Sequence, residues 1–158
     1  MENEVVVRKA KPEDIPAVHQ LIVDLAVFEK APKEVELTVS QLQEDAFGAD
    51  SIVEILVAEA DGEVVGAALF YEKYSTWKGR GVHLEDFVVK EEHRRRGIGS
   101  MLFEEVIRIA RERGYARMDW QVLDWNESAI AFYRKYGAAL TEEWLDGRFT
   151  REDLKKMQ

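Results

Sequence analysis

Seven consecutive residues combine basic side chains with glycines in a pattern that suits an anion. The stretch RRRGIGS at positions 94–100 follows an apolar run and leads into an amphipathic pattern. Glycines let the backbone approach a ligand closely, and the N–H groups that begin a helix bind phosphate together with arginine side chains. No Gly-Lys-Ser/Thr follows, and Leu102 stands where a dinucleotide fingerprint has its third glycine. The stretch predicts a pyrophosphate site, and a basic turn at a glycine-rich helix start is the structural alternative.

The apolar run before this stretch is predicted to be a strand, Val82–Val89, and it carries acids that need partners. Strict alternation divides its side chains between two faces, with His83, Glu85 and Phe87 on one and Leu84, Asp86 and Val88 on the other. A buried carboxylate costs free energy unless it is paired, so we expect Glu85 or Asp86 to be functional or ion-paired. His83 and Glu85 could suggest a metal, but two ligands do not make a site, and we predict none.

Hydrophobic periodicity predicts alternating helices and strands around these residues. Apolar residues at three- and four-residue spacing indicate helices, and β-branched or aromatic runs between turn signals indicate strands. The predicted strands cover 5–9, 52–60, 63–74, 82–89, 118–123 and 138–144, with a loop over 75–81. Helices are predicted to begin near Pro12, after a cap at Thr38 or Ser40, at Ile98, after a cap at Asn126, and at Thr150 with Asp153.

The composition limits the classes of function. The chain has 158 residues and no cysteine, which fits one domain and excludes disulfides, thiolate metal sites and a cysteine nucleophile. A formal net charge of -9 opposes nucleic-acid binding and favours a small cationic substrate, although an acidic solvated surface explains the charge equally well. No apolar run suits a signal core or a membrane span. We therefore expect a cytoplasmic protein that binds neither nucleic acid nor membrane.

Several motifs, in chain order, resemble one family. The R-x-x-G-x-G loop at 94–99, between a strand and an amphipathic helix, and W-N-E-S-A-I-A-F-Y at 125–133 resemble the GNAT N-acetyltransferase superfamily. Four further motifs are similar to its spermidine/spermine and thialysine acetyltransferase branch, namely FEK at 28–30, LQEDAFG at 42–48, STWKG at 75–79 and LEDF at 84–87. The resemblance covers almost the whole chain. It implies one α/β domain over residues 1–158, with a mixed six- to seven-stranded sheet, a splayed central strand pair and about four helices.

The resemblance implies acetyl-CoA as co-substrate and assigns its contacts. In such enzymes a loop and a helix N-terminus hold the CoA pyrophosphate, which here assigns Arg94, Arg95, Arg96, Gly97, Ile98, Gly99 and Ser100. The pantetheine arm lies along the preceding strand, here Phe87, Val88 and Val89, with Asn126 on the other side. Tyr133 matches the tyrosine that protonates the departing thiolate, and Glu85 matches the carboxylate that takes the proton of the amine.

Elementary proton chemistry supports these two roles. Because alkylamines have a pKa near about 10, only about one molecule in a thousand is neutral at pH 7, so attack on a thioester needs a base. A carboxylate can relay that proton, and a phenol can donate one to a thiolate as it forms. Without a cysteine, direct attack in a ternary complex is expected. The structural alternatives are that Tyr133 is a core aromatic with Phe132 and Tyr136, and that Glu85 is an ion-pair partner.

The resemblance also implies an acceptor pocket for a polyamine, a diamine or a lysine-like amino acid. The residues assigned to it are Phe28, Glu29, Trp77, Glu85, Asp86, Asp119, Trp120, Gln121 and Glu143. Ser75 and Thr76 stand where polyamine enzymes of this branch carry an acid, so the preferred amine stays open. The alternatives are a protein or peptide N-acetyltransferase and a non-catalytic acetyl-CoA sensor. By the same resemblance we expect a homodimer.

Overall fold

The protein has its strands and helices in the predicted order, except that the strand predicted at 138–144 is absent. The computed structural model describes residues 4–157. The strands are β1 (Val5–Lys9), β2 (Glu54–Ala60), β3 (Glu63–Ser75), β4 (Gly79–Val89) and β5 (Met118–Trp120). The α-helices are α1 (Ile15–Phe28), α2 (Val39–Phe47), α3 (Ile98–Glu112), α4 (Glu127–Lys135) and α5 (Arg151–Lys156). The α/β class is confirmed.

The five strands form one mixed sheet in the order β1-β2-β3-β4-β5. Neighbours are antiparallel except β4 and β5, which run parallel. The prediction of six to seven strands is wrong for residues 4–157, because 138–144 forms no strand. The strand predicted over 118–123 is present but covers only 118–120. Trp144 is 80% exposed and Leu145 97% exposed. An apolar segment forms a strand only when a neighbouring strand pairs with it, and none pairs with this segment in the described chain.

The chain divides into two compact units, Met1–Gln121 and Val122–Gln158. The first contains the sheet with α1, α2 and α3, and the second contains α4 and α5. In the second unit the predicted caps are confirmed. Asn126 Oδ1 accepts a hydrogen bond from the Ala129 N–H, and Thr150 and Asp153 form a capping box at the start of α5.

In the first unit, helices cover both faces of the sheet. α1 and α2 pack on one face, where Ile15, Val18 and Leu21 share a core with Val57, Ala67, Leu69 and Val88. α3 packs on the other face and buries Leu102, Phe103 and Val106. The face of an element that is apolar in sequence is therefore the face that is buried.

The hairpin that joins β3 to β4 is tighter than the loop predicted over Ser75–Gly81. Only Thr76, Trp77 and Lys78 separate the strands. The Ser75 hydroxyl accepts hydrogen bonds from the N–H groups of Trp77 and Lys78, both at 3.2 Å, and Gly79 takes a φ of 91°. A serine that satisfies turn N–H groups and a glycine with positive φ allow this short connection.

A β-bulge at Glu85 overturns the predicted division of β4 into faces. Asp86 is opposite Leu69 and Leu84 is opposite Phe70, so Glu85 is an extra residue without a partner on β3. Because an extra residue shifts the alternation by one, His83, Asp86 and Val88 lie on the α1 face, and Leu84 and Phe87 lie on the α3 face. The grouping of His83 with Phe87 and of Leu84 with Asp86 is therefore wrong.

No helix within residues 4–157 is both long and apolar enough to cross a membrane.

Candidate functional site

The stretch 94–100, called the basic loop below, forms a turn with two positive φ angles and the first turn of α3. Arg95 has a φ of 69° and Gly97 a φ of 75°. Gly97 is the N-cap residue of α3, and the buried Ile98 side chain fixes the start of the helix. The N–H groups of the first helical turn have no intrahelical acceptor, and they point out of the positive end of the helix dipole. The backbone of the basic loop is therefore arranged to bind an anion.

The three arginines of the basic loop are exposed. Arg94 donates from Nε to the Val89 carbonyl at 3.3 Å, and its guanidinium lies 5.7 Å from the centre of the Phe28 ring. Arg96 Nη1 lies 2.8 Å from His93 Nδ1. Within residues 4–157 no carboxylate pairs with Arg94 or Arg95. Their charge is available to a ligand.

The basic loop packs against the end of β4. A Cβ added at Gly99 would lie 3.5 Å from Phe87 Cζ, and the Phe87 ring is 5.8 Å from that of Phe103. Beside this contact β5 pairs only with Val82, His83 and Leu84. In the described part of the chain no strand pairs with residues 85–89 on that edge, where β4 and β5 cease to pair. Backbone groups there can bind an extended ligand.

On the α1 face of β4, carboxylates from different elements converge on His83. His83 is 9% exposed, and its ring lies 5.2 Å from that of Tyr71. Its Nδ1 is 2.5 Å from Asp119 Oδ1, and its Nε2 is 3.3 Å from Glu85 Oε2. The charges of Glu85 and Glu29 also act on Asp86. We call these six residues the acidic cluster: Glu29, Tyr71, His83, Glu85, Asp86 and Asp119.

Electrostatics shows that part of the acidic cluster has an excess of negative charge. Burial, and then the charges of Glu85 and Glu29, raise the pKa of Asp86 to about 6. Burial also raises the pKa of Glu29. Burial, followed by the charges of Glu85 and Asp119, raises the pKa of the Tyr71 hydroxyl.

Cations are distributed unevenly over the acidic cluster. Asp119 is paired with Lys73 at 3.4 Å and with Arg117 at 3.5 Å. In the described residues no lysine or arginine pairs with Glu29, Glu85 or Asp86. These three carboxylates would be stabilised by a cation that the described residues do not supply.

The second unit holds three of the predicted site residues. The Asn126 side-chain oxygen caps α4, so its amide nitrogen is the atom that can donate to a ligand. Tyr133 is 6% exposed, and its ring lies 5.5 Å from that of Phe132. Glu143 lies in an exposed segment without regular secondary structure.

The structure brings together some of the predicted acceptor residues and separates others. Glu29, Glu85, Asp86 and Asp119 belong to the acidic cluster, and Phe28 contacts Arg94. Trp77 is 87% exposed at the tip of the β3–β4 hairpin, six strand residues or about 20 Å along β4 from Glu85. Trp120 lies edge-on to Phe103, on the face away from His83, and Gln121 follows β5 exposed.

Sequence reasoning missed Tyr71 and treated His83 only as a possible metal ligand. Tyr71 is opposite His83 in the β3–β4 pairing, and Asp119 is opposite His83 in the β4–β5 pairing. The register of the β3–β4 hairpin is the signal that could have placed Tyr71 beside His83, and this register depends on the length of the turn after Ser75. The described residues contain no group of three or more side chains suited to a metal ion.

Comparison with known proteins gives the family. The family model described as "Acetyltransferase (GNAT) family" matches residues 15–138. The chain belongs to this family. It is 40% identical to thialysine N-epsilon-acetyltransferase of Bos taurus, over 97% of this chain and 96% of that protein. It is 32% identical to spermidine/spermine N(1)-acetyltransferase-like protein 1 of Homo sapiens, over 96% of this chain and 23% of that protein. The chain is therefore an acetyltransferase, and the resemblance seen in its motifs is confirmed.

A solved structure supports the fold. An integron cassette protein from the mobile metagenome of V. cholerae superimposes with a TM-score of 0.78 at 22% identity, covering 96% of each chain. At this identity the likeness concerns the fold alone.

GNAT acetyltransferases use acetyl-CoA, and the basic loop fits its pyrophosphate. The exposed guanidinium groups of Arg94 and Arg95 lack carboxylate partners within the described chain, and they stand beside the N-terminus of α3. Phosphate oxygens can accept hydrogen bonds from the guanidinium groups and from the backbone N–H groups at the start of α3.

Proposed function

We propose that this acetyltransferase moves the acetyl group of acetyl-CoA to a primary amine of a small cationic acceptor, namely a polyamine, a diamine or a lysine-like amino acid. The observation that carries the proposal is the set of carboxylates Glu29, Glu85 and Asp86, which no lysine or arginine of the described chain neutralises. An ammonium group supplies the missing charge. Relatives named for thialysine and for spermidine/spermine support an acceptor of this kind.

Donor binding in this proposal uses the residues that the family resemblance assigns to acetyl-CoA. Arg94, Arg95 and Arg96 bind the pyrophosphate together with the first N–H groups of α3, and Phe87, Val88 and Val89 line the pantetheine arm. Asn126 donates to the same ligand from its amide nitrogen. When bound, acetyl-CoA supplies the acetyl group as a thioester, which an uncharged amine can attack directly.

Proton transfer is assigned to Glu85 and Tyr133. The bulge at Glu85 directs its carboxylate to the α1 face beside His83, and its side chain is 58% exposed, so an amine can reach it. Glu85 accepts the ammonium proton, directly or through water, and this exposes the nitrogen lone pair. The Tyr133 hydroxyl donates a proton to the thiolate that leaves. General acid and base groups of this kind contribute about 10²–10⁴-fold each.

Acceptor binding is assigned to Glu29 and Asp86, with Phe28 as an aromatic neighbour. The acidic charges attract a second ammonium group of the acceptor, and an aromatic face adds a cation–π contact. Because the family match over residues 15–138 includes parts of both units, we propose that they act as one acetyltransferase domain. We also propose a homodimer, in which the exposed side chains of Trp144, Leu145 and Phe149 would be covered.

The experiment is a panel of acceptors offered to the purified chain with acetyl-CoA, with thiol release as the readout. The panel contains polyamines, diamines, thialysine, lysine, ornithine and lysine-containing peptides. We expect turnover with one class of small cation at least about tenfold above the peptides. Faster acetylation of peptides would instead support a protein acetyltransferase. Tight acetyl-CoA binding without turnover on any acceptor would support a sensor.

A further inference from the structure

His83 is the buried polar side chain at the centre of the acidic cluster, and the proposed reaction has so far given it no role. The inference below rests on the proposed amine acetylation. Both ring nitrogens of His83 face carboxylates, and the two distances differ. Nδ1 is 2.5 Å from Asp119 Oδ1, whereas Nε2 is 3.3 Å from Glu85 Oε2.

The shorter contact determines which nitrogen carries the hydrogen. Asp119 is ion-paired with Lys73 and Arg117, and a carboxylate in an ion pair only accepts hydrogen bonds. A bond of 2.5 Å to that acceptor requires a hydrogen on Nδ1. In the neutral imidazole, Nε2 then carries a lone pair that faces the Glu85 carboxylate. Two acceptors opposite each other cannot bond, which explains the longer distance on this side.

We propose that His83 is a positioning residue that acts through Glu85: with Nδ1–H held by Asp119, its Nε2 receives the proton that Glu85 removes from the acceptor amine. The steps balance as proton transfers. First an N–H bond of the ammonium breaks and an O–H bond forms on Glu85. Then that O–H bond breaks and an N–H bond forms at Nε2, which restores the Glu85 carboxylate and leaves an imidazolium between two carboxylates.

The direction of this relay follows from ordinary acid–base strengths. Imidazole side chains titrate about two pKa units above carboxylic acids, so an imidazole holds the amine proton more firmly than a carboxylate alone. Asp119, whose side chain is 30% exposed, stabilises the imidazolium through Nδ1–H, as the aspartate of a Ser-His-Asp triad does for its histidine. The charged and titratable groups that face His83 or its two partners lie on β3, β4 and β5 or directly beside α1 and β5: Glu29, Tyr71, Lys73, Glu85, Asp86, Arg117 and Asp119.

Two substitutions test the relay without removing Glu85. His83→Gln keeps a polar side chain of similar reach that cannot accept a proton. Asp119→Asn keeps the shape, and its single carbonyl oxygen is held by the cations Lys73 and Arg117, so the amide N–H faces Nδ1. The ring hydrogen then moves to Nε2, which can no longer accept a proton from Glu85. The matched controls are His19→Gln on α1 and Asp24→Asn on the same helix, because neither residue belongs to the acidic cluster or the basic loop.

The readout is kcat as a function of pH, measured with the best acceptor of the panel. Both variants should lose at least about tenfold in kcat, with KM for the amine changed less than about threefold. In His83→Gln the acid-side inflection of kcat should move down by about one pH unit or more, because a carboxylate alone now receives the proton. A merely structural role would lower kcat without moving the inflection. An unchanged inflection, or unchanged kcat in both variants, would overturn the relay.

A second measurement does not depend on activity. Nitrogen-15 NMR of histidine-labelled protein at pH 8 should show His83 with its hydrogen on Nδ1, and Asp119→Asn should move it to Nε2. An imidazolium at pH 8, or an unchanged tautomer in Asp119→Asn, would contradict the relay. If the wild type acetylates no amine, the proposed function fails and the relay fails with it. Normal turnover with an unmoved inflection overturns the relay alone.

Discussion

The basic loop and the acidic cluster differ in charge, in exposure and in how the chain assembles them. The basic loop is one contiguous stretch, 94–100, with exposed arginines at the start of a helix. The acidic cluster takes residues from the end of α1 and from β3, β4 and β5, with a buried histidine at its centre. Two adjacent residues link the regions, since Phe28 lies beside Arg94 and Glu29 is coupled to Asp86.

This difference explains why the binding of the donor, acetyl-CoA, and the choice of the acceptor amine can change independently. A pyrophosphate needs N–H groups and positive charge, which a short loop before a helix provides by itself. An amine needs negative charge and a proton acceptor at defined positions, which several strands must supply together. We therefore expect changes in the acidic cluster to alter kcat and acceptor choice, and changes in the basic loop to alter KM for acetyl-CoA.

The largest expected effect separates the two regions most sharply. Glu85→Gln removes the proton acceptor but keeps the shape, so kcat should fall by about 10³-fold. Acetyl-CoA affinity, measured by calorimetry, should stay within about threefold of the wild type. Glu13→Gln, an exposed acid before α1, is the control. A kcat within a few-fold of wild type would mean that the acidic cluster does not contain the base.

A second substitution tests the acid of the second unit. Tyr133→Phe removes one hydroxyl, and kcat should fall by about 10²-fold because the thiolate leaves without a proton. Binding of acetyl-CoA should be nearly unchanged. Tyr136→Phe, on the same helical segment, is the matched control. An unchanged rate in Tyr133→Phe would show that the tyrosine is a packing residue.

Asp86→Asn should stabilise the protein at neutral pH. The folded state holds the Asp86 proton more tightly than the unfolded chain, since burial raises the pKa to about 6. Stability is therefore lost as pH rises from the unfolded value near 3.8 to about 6, and stays lost above it. Because the residue is partly exposed, we expect removal of the charge to add about 2 kcal/mol to the free energy of unfolding at pH 7.5.

Urea unfolding of wild type and Asp86→Asn at pH 4 and pH 7.5 measures this difference. The gain should nearly vanish at pH 4, and acceptor KM should rise in the variant because a binding carboxylate is gone. If wild type and Asp86→Asn have the same free energy of unfolding at each pH value, the Asp86 charge does not destabilise the folded state.

The smallest effect belongs to the basic loop. Arg94→Ala combined with Arg96→Ala should raise KM for acetyl-CoA about tenfold or more, with kcat little changed, because charged hydrogen bonds to phosphate are lost. A pantetheine fragment that lacks the pyrophosphate should bind both proteins equally. Arg111→Ala, near the far end of α3, is the control. Equal losses for the fragment and for acetyl-CoA would place the pyrophosphate elsewhere.

The sequence predicted features that local chemistry decides. The loop at 94–100, the Asn126 cap and the start of α3 depend on neighbouring residues, and the structure has them where the pattern indicates. The acidic cluster could not be predicted as a group. The bulge at Glu85 reverses the alternation along β4, and only the pairing with β3 and β5 brings Tyr71 and Asp119 to His83.

The predicted strand at 138–144 also shows that local sequence does not decide strand pairing. Its residues include an apolar run, Ala138, Ala139 and Leu140, and Trp144, but strand formation depends on a neighbouring strand that the local sequence does not encode. The segment stays irregular and exposes Trp144.

One comparison tests the central claim directly. The wild type is given acetyl-CoA with the best diamine of the panel, or with an amino alcohol of the same length in which a neutral hydroxyl replaces the second ammonium group. If the acidic cluster selects a cationic acceptor, kcat/KM should favour the diamine by at least about tenfold, and the preference should shrink in Asp86→Asn. Equal kcat/KM for the two acceptors in the wild type would contradict the account.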